Sequence, residues 1–418
     1  RSIGASILPV HRYGKIADFN QALGVNTPLD QVVGTGPYCL KEFVPGQRVV
    51  LVANPHYWAR DTEGKPLPRL ERVVINTVSD LDAEMEWFQA GRADFSMVRG
   101  KDWTILATNP QGYTMHNLGP RFATAFVFFN QNLAAPLSEG KKSWFRDRSF
   151  REAVAWAIDR PTIIDAVYNG LAFPGQSDIP QANTLFFDST VTQYAYDIAR
   201  GRRILAEAGY TWNTAGDLLD PKGRPVAFEI MTNSENNERV RVATLIAEGC
   251  RQLGMKVNVN ALSFNTLVEK LDTSLDWEGC LLGLTAGLEP HNGSNIWRVE
   301  GDMHMFNQQP REPMADAAPE VKARHQERLR EWRKGVQPFE NQIEMLMQEG
   351  SQTLDARKRF AVYSRMQHIV SRELPFIYTV VPAALYATRD RIDGFAPTPI
   401  GQTAVTACLH NIEYLRVK

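Results

Sequence analysis

Residues 238–259 read ERVRVATLIAEGCRQLGMKVNV, and this stretch decides the fold class. The sequence predicts a helix from Glu238 to Leu253 that stops at Gly254, because glycine takes the left-handed closing conformation without a Cβ penalty. Met255–Val259 then alternates as a strand does. Helix, glycine and strand in immediate succession form a unit of α/β architecture. Upstream, a helix over 197–208 closes at Gly209, and Leu218 to Ile230 reads as a hairpin around Asp220-Pro221-Lys222-Gly223.

Further out, Ala123–Asn130 is apolar and aromatic enough to run deep inside a sheet, as is Pro375–Val381. Ser149-Phe150-Arg151-Glu152 has the form of a capping box, and Phe150, Ala153, Val154, Ala157 and Ile158 fall on one face of the helix that it would open. Asp355–Glu373 predicts a helix with Phe360, Tyr363, Met366 and Val370 inward, and Glu320–Lys334 a charged helix whose basic run reads as a solvated face. Glu289–Pro313, ahead of both helices, is irregular and polar. Toward the start, two strands flank the turn Val44-Pro45-Gly46-Gln47 as a hairpin, followed by a strand over 71–78, a helix over 80–90 stopped by Gly91, and a short strand at 93–96.

The length of 418 residues suggests two or three domains, and 44% hydrophobic with 22% charged residues describes a globular chain. Forty-six basic against 47 acidic residues give a net charge of −1, which removes the basic footprint of a nucleic-acid binder. The longest apolar runs are strand-sized, so no membrane-spanning helix is expected. The start, Arg1-Ser2-Ile3-Gly4, is not an intact signal peptide. Cys39, Cys250, Cys280 and Cys408 stand apart without metal or redox spacing and read as small core residues.

No reaction is proposed by the motifs. There is no G-x-S-x-G elbow, H-E-x-x-H helix or Walker loop, and Gly34-Thr35-Gly36 leads into a strand where a dinucleotide fingerprint leads into a helix. The eight histidines show no metal spacing, so neither a metal nor a cofactor is expected. What remains is a supply of aromatics, nine Trp and 20 Phe among them, able to line an apolar cleft with a few orienting polar groups or simply to pack a core.

Eight strings, in order, resemble the extracellular solute-binding protein family 5, the oligopeptide, dipeptide and nickel receptors of ABC importers. They are GTGPY (34–38), NPHYW (54–58), FQAGRAD (88–94), FFNQN (128–132), SFREAVAWAIDR (149–160), NGLAFPGQSDIP (169–180), ILAEAGY (204–210) and LPFIY (374–378). The match begins inside the family pattern and resembles its C-terminal three quarters, with the N-terminal part of the family fold missing. The resemblance implies an α/β, two-lobed, periplasmic-binding-protein-like (type II) fold with the ligand enclosed between the lobes. Residues 1–128 plus 380–418 would form one lobe and 129–379 the other, with crossing strands near 124–130 and 376–382.

It also implies a solute-binding protein, not an enzyme, that captures an oligopeptide-like or other small polar solute. Such a protein would act as a monomer in the periplasm or at the cell surface, with or without a lipid anchor, and deliver the solute to an ABC permease. Peptide receptors of the family commonly hold the ligand amine on an aspartate after a Gly-Trp-x-Ala stretch. Here Gly283-Leu284-Thr285-Ala286 is followed by Gly287, so that anchor is missing. The candidate ligand residues are Phe126, Phe128 and Asn130, then Glu289, His291, Asn292, Asn295, Trp297 and Arg298, and Tyr378. Trp297 beside Arg298 would offer a stacking face next to a bidentate donor. Fold alone leaves two alternative readings open: a hydrolase using Glu289 and His291 as acid and base, and a sensing module for a chemoreceptor.

Overall fold

A computed structural model describes residues 9–14, 24, 26–78, 80–108, 110–400 and 404–418; the chain start Arg1–Gly4 lies outside them. The chain divides into two compact units, one of residues 1–98, 105–117 and 385–418, the other of 99–104 and 118–384. The strands in chain order begin with β1 (Tyr38–Val44), β2 (Arg48–Ala53), β3 (Arg72–Asn76), β4 (Phe95–Met97), β5 (Tyr113–Pro120), β6 (Ala123–Phe129) and β7 (Ala172–Pro174). They continue with β8 (Thr211–Trp212), β9 (Leu218–Leu219), β10 (Ala227–Asn233), β11 (Lys256–Leu262), β12 (Gly279–Thr285) and β13 (Ile377–Tyr378). The last are β14 (Val380–Arg389), β15 (Ile392–Asp393) and β16 (Arg416–Val417).

In the first unit β1, β2 and β3 form an antiparallel meander, with the expected hairpin turning at Val44–Arg48. The predicted helix is Leu81–Gln89, and Asp80 caps it by accepting from the backbone N–H groups of Asp82 and Ala83. β4 pairs antiparallel with the Tyr386–Thr388 part of β14.

The second unit is built on a five-stranded sheet in the order β11-β10-β12-β6-β13. β10 runs parallel to β11 and β12, while β6 runs antiparallel to β12 and β13. Because side chains alternate along a strand, β6 sends Val127 and Phe129 into one core and Phe126 and Phe128 into another. The first core is covered by the helices Arg148–Ala157 and Asn237–Gln252, the second by Pro338–Gln352 and Ala356–Glu373. Helices on both faces of a mostly parallel sheet are the α/β layering expected from residues 238–259. The chain passes into the second unit for 99–104 and returns, then changes unit within β5 and again within β14; residues 124–130, where a crossing is expected, lie inside the second unit with β6.

Several local expectations need correction. The helix expected to open at Ser149 begins at Arg148 and is capped by Asp147, whose carboxylate accepts from the Ser149 N–H; Glu152 pairs instead with Arg148 at 3.1 Å. Residues 218–230 make the predicted turn but not a two-stranded hairpin. Pro225 offers no donor to extend the ladder, β9 pairs with β8, and β10 joins the central sheet. Tyr363, Met366 and Val370 are buried as expected, whereas Phe360 stays 36% exposed. Three cysteines are buried and Cys39 is exposed, and burial pushes the Cys250 and Cys408 thiols up to about 12. Among the described residues no helix is long and apolar enough to cross a membrane.

Candidate functional site

In open α/β sheets ligands bind outside the carboxyl ends of the parallel strands, where loops and helix starts present polar groups. In the second unit that edge is formed by the ends of β10 at Asn233, β11 at Leu262, β12 at Thr285 and β13 at Tyr378, together with the start of β6 near Arg121. The helix that starts here, Asn237–Gln252, is capped by the Asn236 side chain, which accepts from the Arg239 N–H at 2.9 Å.

Arg239, in the first turn, is half-buried and donates from Nη1 to Asn233 Oδ1 at 2.6 Å. Its Nη2 lies 3.1 Å from where a Cβ on Gly283 would stand, so the missing side chain there leaves room for the guanidinium. Arg121 is also half-buried and donates from Nε to the Ala383 carbonyl at 3.1 Å. The segment 99–104 packs onto the same region, since a Cβ on Gly100 would collide with the Tyr168 carbonyl at 2.0 Å. Burial lowers the Arg239 pKa and raises those of Tyr168 and Glu238. Glu238 Oε1 is buried without a hydrogen-bond partner, although Arg121, Arg99, Asp102 and Lys101 are all within electrostatic reach of the carboxyl group. An open groove of about 520 Å³ runs along this edge, lined by Lys101, Ser234, Asn237, Glu238, Arg241 and Ala261 among others.

The candidate residues from the sequence are distributed differently from their expected grouping. Asn130 lies at the opposite, amino edge, because β6 is antiparallel and its end is beside the start of β12. There it is buried, donating to the Leu275 and Trp277 carbonyls at 3.0 Å each and accepting from the Asn132 N–H. Phe126 and Phe128 are core residues that meet Phe376 at 4.4 and 5.3 Å between ring centroids. Trp297 is buried edge-on against Phe376, so the stacking face expected beside Arg298 is not available; Arg298 itself is exposed.

The loop after β12 carries the rest. Glu289 forms an ion pair with Arg359 and accepts from the His291 N–H, while the His291 ring turns its Nδ1 to the Met347 carbonyl at 3.1 Å. Each group is therefore engaged with a different partner, and the acid/base pair required by a hydrolase is not assembled. Asn292 is exposed, and Asn295 Oδ1 holds a turn by accepting from the Asp302 N–H. Tyr378 packs at an angle on Phe126 and lines a cavity of about 270 Å³ with Arg160, Pro174, Gly175 and Tyr194. Nearby, burial pushes the half-buried Asp178 carboxyl up to about 6 despite the hydroxyl that Ser177 donates to it.

Arg121, Asn233, Glu238 and Arg239 were absent from the candidates read in the sequence. The available signal was positional: polar 233–239 joins the end of an apolar strand to the start of an amphipathic helix, where an α/β sheet exposes its carboxyl edge.

This fold is that of the type II periplasmic binding proteins. It matches the oligopeptide-binding protein AppA of Bacillus subtilis, solved with a nonapeptide, at TM-score 0.75 and 20% identity over 99% of this chain and 72% of that one. It matches NikZ of Campylobacter jejuni, solved with Ni(L-His), at TM-score 0.72 and 17% identity over 92% of this chain and 68% of that one. The family model for bacterial extracellular solute-binding proteins, family 5, matches residues 6–304, and the chain belongs to that family. A probable ABC transporter-binding protein of Deinococcus radiodurans is 27% identical over 391 residues, covering 88% of this chain and 61% of the relative. The chain thus spans less than two thirds of the length of the first curated relatives that it matches.

Proposed function

We propose that this chain is the solute-binding component of an ABC importer, a transport protein and not an enzyme. It captures an oligopeptide-like or other small polar solute outside the cytoplasm, in the periplasm or at the cell surface, and presents it to a membrane permease. It acts as a monomer. The observation that carries this reading is family membership over residues 6–304, joined to a carboxyl edge where half-buried polar groups keep donors unused by the protein. Names of relatives support the solute range: one is called an oligopeptide-binding protein and another a heme-binding protein.

Native mass spectrometry of the protein as purified tests the proposal. A reproducible non-covalent adduct of small mass, released on mild activation and regained when the released compound is added back, is the expected result. A bare mass that persists after incubation with peptide mixtures, sugars and metal–histidine complexes would overturn it.

A further inference from the structure

At the carboxyl edge of the second unit, two half-buried arginines, Arg121 and Arg239, stand without an ion-pair partner among the described residues. Around Glu238 stand Arg99, Lys101, Asp102, Arg121 and Arg239, and Glu235 lies beyond Asn233, accepting from its Nδ2 and from the Phe264 N–H. Asp102 is engaged by Arg99 at 2.5 Å, and Glu289 in the loop after β12 is engaged by Arg359. Arg121 and Arg239 have no carboxylate within ion-pair distance among the described residues, and each uses only part of its guanidinium within the protein, Arg121 through Nε and Arg239 through Nη1. Glu238 lies in electrostatic reach of both arginines, but it makes no ion pair with either one and its Oε1 accepts no hydrogen bond.

Resting on the solute-binding reading above, we propose that the solute taken at this edge carries an anionic group, a carboxylate or a phosphate, held by Arg239 and Arg121, and that residue 283 is glycine to admit the Arg239 guanidinium. A planar guanidinium with open N–H groups fits either oxyanion through two parallel hydrogen bonds. Partial burial strengthens that attraction and makes the unpaired cation costly until an anion arrives. A cationic solute would meet a net repulsive field at the same place. The 270 Å³ cavity beside Tyr378 is a poorer candidate, because the Arg160 donors that face it are spent on the carbonyls of Tyr378, Tyr194, Ala155 and Ile158.

The test separates the low-molecular-weight extract of a bacterial culture by anion exchange and offers the retained and unretained pools to the protein, with adducts read by native mass spectrometry. Expected are adducts from the retained pool alone, lost roughly tenfold in Arg239→Gln, weakened in Arg121→Gln and Gly283→Ala, and partly kept in Arg239→Lys, as a charged hydrogen bond implies. Phosphatase treatment of the pool distinguishes the sources: loss of the adduct identifies a phosphate monoester, survival a carboxylate. Equal thermal midpoints of the variants keep folding out of the comparison. Adducts from the unretained pool alone, or retained-pool adducts that Arg239→Gln and Arg121→Gln leave unchanged, would overturn the inference while leaving solute binding intact. Adducts from neither pool would remove the solute-binding reading itself.

Discussion

The two edges of the five-stranded sheet in the second unit treat charge in opposite ways. At the amino edge the carboxylates have partners. Glu278 meets Lys141 and accepts from the Glu229 N–H; Asp220 accepts from Arg224, the Trp144 indole and the Lys222 N–H; Glu340 meets His304 at 2.8 Å and accepts from Asn307 and the Gln337 N–H. At the carboxyl edge Arg239 and Arg121 have no carboxylate partner among the described residues, and Glu238 keeps an oxygen without a hydrogen bond. A matched buried charge holds a fold together, whereas an unmatched one is tolerated where something else can arrive. On the proposal above, one edge serves stability and the other recognition.

The sharpest way to break that assignment is Glu340→Leu. The His304 ring nitrogens both face acceptors, Glu340 at 2.8 Å and the Ile296 carbonyl at 2.8 Å, with both side chains fully buried. Removing one member of such a pair costs about 3–5 kcal/mol, so urea unfolding should shift strongly, while Glu340→Gln, which keeps size and part of the bonding, should cost less. An unchanged midpoint in Glu340→Leu would sink the view of the amino edge as structural.

Asn130→Leu comes next. It strands the Leu275 and Trp277 carbonyls and the Asn132 N–H in the interior, and about 2–3 kcal/mol of stability should be lost in the same unfolding assay. Solute adducts per folded molecule should not change. Their selective loss would return Asn130 to the ligand site where the sequence reading placed it.

Asp220 gives the amino edge a pH signature. Burial opposes its ionisation, but the Arg224 side chain and backbone, the Trp144 indole and the Lys222 N–H more than offset this and hold the carboxyl at about 2. A carboxyl group with its pKa lowered in the fold stabilises fully above its unfolded pKa near 3.9, and that stabilisation is lost as pH falls from about 4 through 2. The contribution is roughly 1–2 kcal/mol. Asp220→Asn should therefore lower stability at pH 7 and flatten the acid limb of a stability curve; parallel curves for the two proteins would count against it.

What the sequence made legible was local. The glycine after Leu253, the hairpin at 38–53 and the helix over 80–90 are read from neighbours in the chain, and each stands in the structure. Even there one signal was passed over: Gln337-Pro338-Phe339-Glu340 is a capping box with proline in the first turn, and it opens the helix Pro338–Gln352. The candidate site was less legible because it depends on strand direction. Asn130 follows the aromatic strand closely enough to be grouped with Phe126, but the antiparallel β6 ends at the amino edge and leaves Asn130 there, while Phe126 stays in the core at mid-strand. Arg121 and Arg239 belong to distant parts of the chain, and only the sheet order β10-β12-β6 brings them to one edge. Aromatic content misled in a different way: Phe126, Phe128 and Trp297 are spent on a shared core around Phe376, which offers the larger apolar burial.

The smallest effect probes the carboxyl edge. Glu238 sits in a field of cations, yet burial dominates and raises its pKa. A carboxyl group with a raised pKa in the fold favours folding at low pH, and that advantage fades as pH climbs from its unfolded value through the folded one. Glu238→Gln removes this titration. The variant should match the parent below pH 4 and exceed it by no more than about 0.5 kcal/mol at pH 7, the opposite sign to Asp220→Asn. The same substitution removes a negative charge beside Arg239, so any anionic adduct should be held at least as well. If Glu238→Gln instead destabilised the protein at pH 7 as Asp220→Asn does, the carboxylate would be holding the fold through the cations around it. The carboxyl edge would then be structural like the other, and the separation of roles between the two edges would fail.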